Sequence, residues 1–130
     1  MRFVWRAPFD NAAVNALHAE GFAHPVLDID WSNQVERHSL GWVCASDADR
    51  LVGFVNVAWD GGVHAFVVDT LVDSDHRHNG IGRQLLEVAE RESRAAGCEW
   101  LHVDFDEELR DFYFGACGFS PTPAGLIALH

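Results

Sequence analysis

The stretch Arg77-His78-Asn79-Gly80-Ile81-Gly82-Arg83-Gln84-Leu85-Leu86 decides the reading of this chain. It stands between a nearly all-apolar run, Val63 to Val72, and an amphipathic run, Ile81 to Ala96. The first reads as a strand covered on both faces. The second reads as a helix with Ile81, Leu85, Val88, Ala89 and Ala96 on its buried side and Glu87, Glu90, Arg91 and Arg94 toward water. The start of such a helix exposes unpaired N–H groups and a partial positive charge. An anionic phosphate placed there accepts those donors directly. Gly80 and Gly82 keep the approach clear of side chains, and Arg77 and Arg83 add charge. The segment lacks the three-glycine dinucleotide spacing and the Gly-Lys-Ser/Thr of the other common phosphate loop. Taken by its residues alone, it fits a plain tight turn at a helix start equally well.

Outward from this loop the chain divides into short elements. Trp100 to Phe105 alternates like a strand, so strand, helix and strand make a crossover unit. Ligands of such sheets lie beyond the carboxyl ends of the strands, which points to the 73–83 loop. Upstream, Gly41 to Ala45 and Arg50 to Trp59 predict two strands joined by a turn over Ser46-Asp47-Ala48-Asp49. Asp60-Gly61-Gly62 turns the chain into the Val63 strand. Phe3 to Arg6 predicts a first strand. Asn11 to Glu20 predicts a helix capped by Asp10 and stopped by Gly21. From Phe22 to Ser39 the periodicity is poor and supports only one or two helical turns. That stretch is a natural roof for a substrate site, with Trp31 in it. Downstream, Glu107 to Ala116 reads as a helix ended by Gly118, and Leu126 to Leu129 as a last strand. The fold class is α/β: a mixed (α+β) sheet with helices on both faces, in one domain spanning 1–130.

Composition limits the function. The 130 residues include nine Phe and five Trp, enough for a packed core. Twenty acidic residues stand against nine Arg and no Lys, for a net charge of −11. Such a surface repels nucleic acid and favours cationic ligands. No run reaches 18 apolar residues, so no membrane span is expected, and the amino end lacks the apolar core of a signal peptide. Cytoplasm is the expected compartment. Cys44, Cys98 and Cys117 are too scattered for a metal and read as small buried hydrophobes. Trp5, Trp42 and Trp100 read as core and sheet packing.

The segment Arg77 to Gly82 resembles the acetyl-coenzyme A signature of the GNAT N-acetyltransferase superfamily, Arg/Gln-x-x-Gly-x-Gly/Ala. Thr70-Leu71-Val72-Asp73 resembles that family's fourth strand. Phe112-Tyr113-Phe114-Gly115-Ala116-Cys117-Gly118-Phe119 resembles its second landmark, an aromatic helix before Gly-Phe. The resemblance implies the acyl-CoA N-acyltransferase fold and acetyl-CoA as the acyl-donor cosubstrate. Backbone N–H groups of Arg77, His78, Asn79, Gly80, Ile81, Gly82 and Arg83 would hold the pyrophosphate. Backbone groups of Leu71 and Val72 would pair with the pantetheine arm, lying like an added strand.

The family often protonates the leaving thiol with a tyrosine four residues before the Gly of Gly-Phe. Here that position is Phe114, and the tyrosine is Tyr113. A one-residue offset rotates a helical side chain by about 100°. Tyr113 serves only if a local bulge brings it round; otherwise the protein works without that acid. The family's pantetheine asparagine is also replaced, by Glu107 or Glu108. For a general base to deprotonate an amine, Asp69, Asp104, Asp106, Glu36 and His64 are candidates. Asp69 stands out inside an apolar strand, with Arg50 as its alternative, purely structural partner, and Asp104 ends the parallel strand. His76 and His78 are expected to flank the phosphates. The acceptor expected is an amine on a small molecule or peptide, and a homodimer is plausible through the Leu126 to Leu129 edge. The alternative reading is a catalytically silent, CoA-binding sensor or partner subunit of the same fold.

Overall fold

The computed structural model describes residues 1–130. Strand β1 (Arg2–Trp5) leads to helix α1 (Asn11–Gly21) and helix α2 (Trp31–His38). Strands β2 (Ser39–Asp47), β3 (Arg50–Trp59) and β4 (His64–Val72) follow, then α3 (Ile81–Ala95) and β5 (Trp100–Val103). The sheet runs β1-β2-β3-β4-β5 in space. The first four strands are antiparallel, and β4 and β5 are parallel across α3.

Alternation along the strands sends side chains to two separate cores. Val43, Ala45, Val55, Val57, Ala65 and Val67 pack under α3 with Ile81, Leu85 and Ala89. Trp42, Cys44, Phe54 and Leu71 point the other way, against Val14 and Leu17 of α1 and Trp31 and Val35 of α2. The expected mixed sheet with helices on both faces is therefore present. Burial on α3 departs from the expected face at its end. Leu86 and Ser93 are buried, whereas Ala96 lies past the helix and is exposed.

The weakly periodic stretch before β2 contains more order than its pattern suggests. Asp30 caps α2 by accepting from Asn33 N at 3.2 Å, and α2 runs eight residues. Asn15 ties the α1–α2 connection down. Its amide donates to the carbonyls of Asn11 and Ile29, and its Oδ1 accepts from Ile29 N and Trp31 Nε1. A buried amide with all four capacities used fixes the chain around it. The β2–β3 turn is tighter than expected, because β2 continues to Asp47 and the reversal is made at Ala48 and Asp49.

Two expectations fail at the carboxyl end. Glu107 to Ala116 is not one helix but a 3-10 turn, Glu107–Leu109, followed by a π-helical turn, Asp111–Ala116. Leu126 to Leu129 forms no strand; the sheet ends at β5, and Leu126, Ile127 and Leu129 stand 79–85% exposed. The edge that suggested a homodimer is thus absent as a strand. Trp100 is also not core: it is 64% exposed on the outermost strand.

Candidate active site

The β4–β5 pairing runs only from His64↔Trp100 to Val67↔Val103. There β5 ends, while β4 continues for five residues to Val72. The strands part at this point, and the β5-facing edge of Val68 to Val72 has no strand partner. On the other edge, β4 has a bulge. Phe54 pairs with Leu71 but Asn56 with Val68, so Asp69 and Thr70 together face Val55. Asp69 takes up the extra residue with φ +56°, which aspartate tolerates better than most side chains.

The bulge sends its two side chains to different neighbours. Asp69 Oδ1 lies 3.1 Å from His18 Nε2 on α1. Thr70 Oγ1 accepts a hydrogen bond from the hydroxyl of Tyr113 at 3.2 Å. The expected alternative partner of Asp69, Arg50, instead pairs with Asp73.

Tyr113 reaches β4 because its turn is π-helical. Cys117 N donates to Phe112 O at 2.9 Å, an i→i+5 bond. A π turn holds an extra residue relative to an α turn. A side chain five places before Gly118 is thereby brought round, as the local bulge considered above requires. Phe105 stacks on the Tyr113 ring at 4.7 Å, and Phe112 and Phe119 meet it edge-on. Tyr113 is 5% exposed, and burial pushes its phenol above the ordinary value, partly offset by the bond to Thr70. The group remains a proton donor at neutral pH. Phe114 has turned to Phe105 and the Arg110 guanidinium instead.

The loop ahead of α3 has the geometry of an anion cradle. Gly80 is the N-cap, left-handed at φ +76°, with no side-chain cap on the helix. Gln84 N is satisfied by Gly80 O at 3.1 Å. The N–H groups of Ile81, Gly82 and Arg83 precede this first intrahelical donor and have no helix carbonyl to bond. A Cβ on Gly80 would meet only the Gln84 side-chain amide, at 4.0 Å. Gly82 is different: a Cβ there would lie 3.0 Å from Phe112 Cζ. Its smallness is required by the aromatic packing as well as by any ligand. Arg77 lies 3.9 Å from Glu20 and Arg83 3.6 Å from Glu87, both exposed pairs that leave donors for another anion. His78 and Asn79 are exposed in the same loop.

Other candidates sit elsewhere. His76 does not flank the cradle; it lies between Asp47 and Asp73. His64 pairs with His102 at 2.8 Å, at the far end of β4. Glu36 faces Arg6 on α2. Asp104 is exposed just past β5 and close enough to Tyr113 to raise its phenol slightly, whereas Glu107 is held by Arg110. Trp31 does not roof a pocket; it is 3% exposed, with its ring 5.3 Å from His18. Sequence reasoning passed over His18 and His24, because only the fold brings α1 to β4. The thiols of Cys44 and Cys117 are pushed up to about 12 and about 11 by burial, so they stay protonated. A cavity of about 780 Å³ between α1 and the β1–β2 side includes Phe9, Leu17 and Arg50 but none of the cradle residues. No group of His, Cys, Asp and Glu has the arrangement of a metal site, and no helix is long and apolar enough to cross a membrane.

A mixed sheet parted after β4, with a glycine cradle on the following helix, defines the acyl-CoA N-acyltransferase class of fold. Residues 5–119 match the Acetyltransferase (GNAT) family, and the chain belongs to it. Among solved structures it resembles an aminoglycoside acetyltransferase from an uncultured soil metagenomic sample (TM-score 0.82, 17% identity, 99% of this chain and 95% of that one). It also resembles an acetyltransferase of Trypanosoma brucei (0.78, 20%, 98% and 99%). A third is glucosamine-6-phosphate N-acetyltransferase of Arabidopsis thaliana (0.70, 17%, 98% and 98%). At these identities the likeness concerns the fold. No curated relative matches the sequence.

Proposed function

We propose that this protein transfers the acetyl group of acetyl-CoA to a primary amine carried by a small cationic molecule or peptide. The observation that carries the reading is the parting of β4 from β5 beyond Val67 and Val103, directly ahead of the uncapped start of α3. The residues present suit the donor. The amides of Gly80, Ile81, Gly82 and Arg83, with those of Arg77, His78 and Asn79, would receive its pyrophosphate. The free edge of β4 at Leu71 and Val72 would pair with its extended arm. Acetyl-CoA supplies an activated acyl thioester.

The chain supplies positioning and proton traffic. An alkylammonium with a pKa near 10.4 must lose a proton before attack, at a cost of about 4–5 kcal/mol at pH 7. Asp69, half-buried beside the crevice, is the group we assign to take it. Asp104 is the second carboxylate in reach of the Tyr113 side and draws a cationic acceptor toward it. Tyr113, held protonated by burial, is assigned to protonate the leaving thiolate. Thr70 orients its hydroxyl.

A panel of amines, amino acids and basic peptides, assayed for release of free CoA thiol, tests this reading. Turnover confined to cationic amines supports it. Preference for anionic acceptors contradicts the charge argument. CoA binding without turnover of any amine would favour the alternative, a silent sensor or partner subunit.

A further inference from the structure

The crevice is closed from the α3 side, where Tyr113 is buried among Phe105, Phe112 and Phe119. An acceptor therefore reaches the parting from the other face of the sheet. Strand alternation decides what it meets there. Ala65 and Val67 of β4, with Leu101 and Val103 of β5, turn toward α3. Phe66 and His102 turn the opposite way. They are register partners, one place before the last pair of the β4–β5 ladder. Their rings stack at 4.6 Å with 17° between the planes, and both residues are exposed. His64 Nδ1 lies 2.8 Å from His102 Nε2 and fixes the tilt of that imidazole. The vertex of the crevice thus has a flat aromatic floor that no part of the chain covers.

Two carboxylates stand beyond this floor, one on each arm of the parting. Asp69 of β4 turns to His18 of α1. Asp104 follows β5 and is exposed between Val103 and Phe105, which both pack on the α3 side. Three residues separate Phe66 from Asp69, roughly 10 Å of strand. Beside Asp69, the exposed ring of Phe22 lies 4.6 Å from that of His18.

We infer that the Phe66–His102 stack receives a flat ring of the acceptor, so that this protein acts on small primary amines carried a few bonds from an aromatic ring. The inference rests on the acetyl-transfer reading above and narrows its acceptor. The ring lies on the stack, and the ammonium points along the crevice toward Asp69 and Asp104. A third ring on an existing pair extends an arrangement that aromatic groups favour, and it covers apolar surface now in water. An ammonium beside two carboxylates is matched in charge, whereas an anion there is repelled. A bare aliphatic amine gains only the charge match. Phe66 and His102 touch the body of the acceptor and not the reacting atoms, so they set specificity.

Binding to the wild-type protein tests this, with coenzyme A present and no acetyl donor. The probes are 2-phenylethylamine, ethylamine and 3-phenylpropanoate, which keeps the ring and reverses the charge. In spectra of protein labelled in its Phe and His rings, Phe66 and His102 should shift together with 2-phenylethylamine and saturate. Its Kd should lie at least about tenfold below that of ethylamine. The same concentrations of 3-phenylpropanoate should move neither ring. Phe66→Ala, at an exposed position, should lose the preference for the aromatic amine; the wild-type comparison stands whether or not that variant folds. Equal Kd values for the two amines, shifts confined to other rings, no binding of any probe, or a preference retained in folded Phe66→Ala would each overturn the inference. Preferential binding on these rings with no acetyl transfer in the amine panel would leave the recognition site standing and the function reading refuted. Acetyl transfer to amines with no aromatic preference would do the reverse.

Discussion

The hydroxyl of Tyr113 donates to Oγ1 of Thr70, 43 residues earlier in the chain, at 3.2 Å. The bond joins the π turn after β5 to the bulge of β4, on the two sides of the crevice where the sheet parts. Tyr113→Phe keeps the ring and its stacking on Phe105 and removes only the hydroxyl. The maximal rate should fall by roughly ten- to a hundredfold, a loss of about 1.4–2.7 kcal/mol in transition-state stabilisation. Steady-state kinetics should show the KM for acetyl-CoA within about twofold of wild type. An unchanged kcat in the folded variant would reduce Tyr113 to packing.

Gly82 serves two neighbours, and double variants separate them. Gly82→Val should weaken CoA binding at least tenfold by calorimetry, and it also drives a side chain into Phe112. Phe112→Leu in the same chain should recover much of the lost melting temperature, because the clash is with the ring. If the cradle holds a pyrophosphate, CoA affinity stays low in the double variant. Recovery of affinity along with stability would assign Gly82 to packing alone.

Asp73 predicts an acid-sensitive contribution to stability. The Asp75 N–H, then the Arg50 guanidinium and His76, hold its carboxyl below the ordinary range. A carboxyl depressed in the folded state adds stability above its unfolded value near 3.9, and that stability is lost as pH falls through the lower folded value. Asp73→Ala should therefore melt several degrees lower at pH 7. Thermal scans of the two proteins should converge in acid, once pH has fallen through the lowered folded value of Asp73. A gap that persists in acid would mean packing, not charge, is responsible.

The core of the fold was legible because each element advertised its environment. The apolar run of β4, the 3.6-residue stripe of α3 and the glycine pair between them are local signals. Helix α2 was legible only in part: its Asp30 cap was present, but eight residues with two buried side chains give little periodicity. The π turn left no readable trace, since Asp111–Ala116 is a short aromatic run that carries no marker of a wider turn. Only the offset between Tyr113 and Gly118 hinted that an extra residue had to be accommodated. The last strand failed in the opposite way: Leu126 to Leu129 has the residue types of a strand but lies exposed and outside the sheet. His18, His24 and Asp69 lie on three segments, up to 51 residues apart, and no spacing rule connects them.

Amide chemical-shift mapping during titration with coenzyme A tests the central claim most directly. The amides of Arg77 to Arg83, with Leu71 and Val72, should shift together and saturate. Those lining the separate cavity beside α1, such as Phe9 and Leu17, should remain still. Shifts confined to that cavity, or none at saturating coenzyme A, would contradict the account.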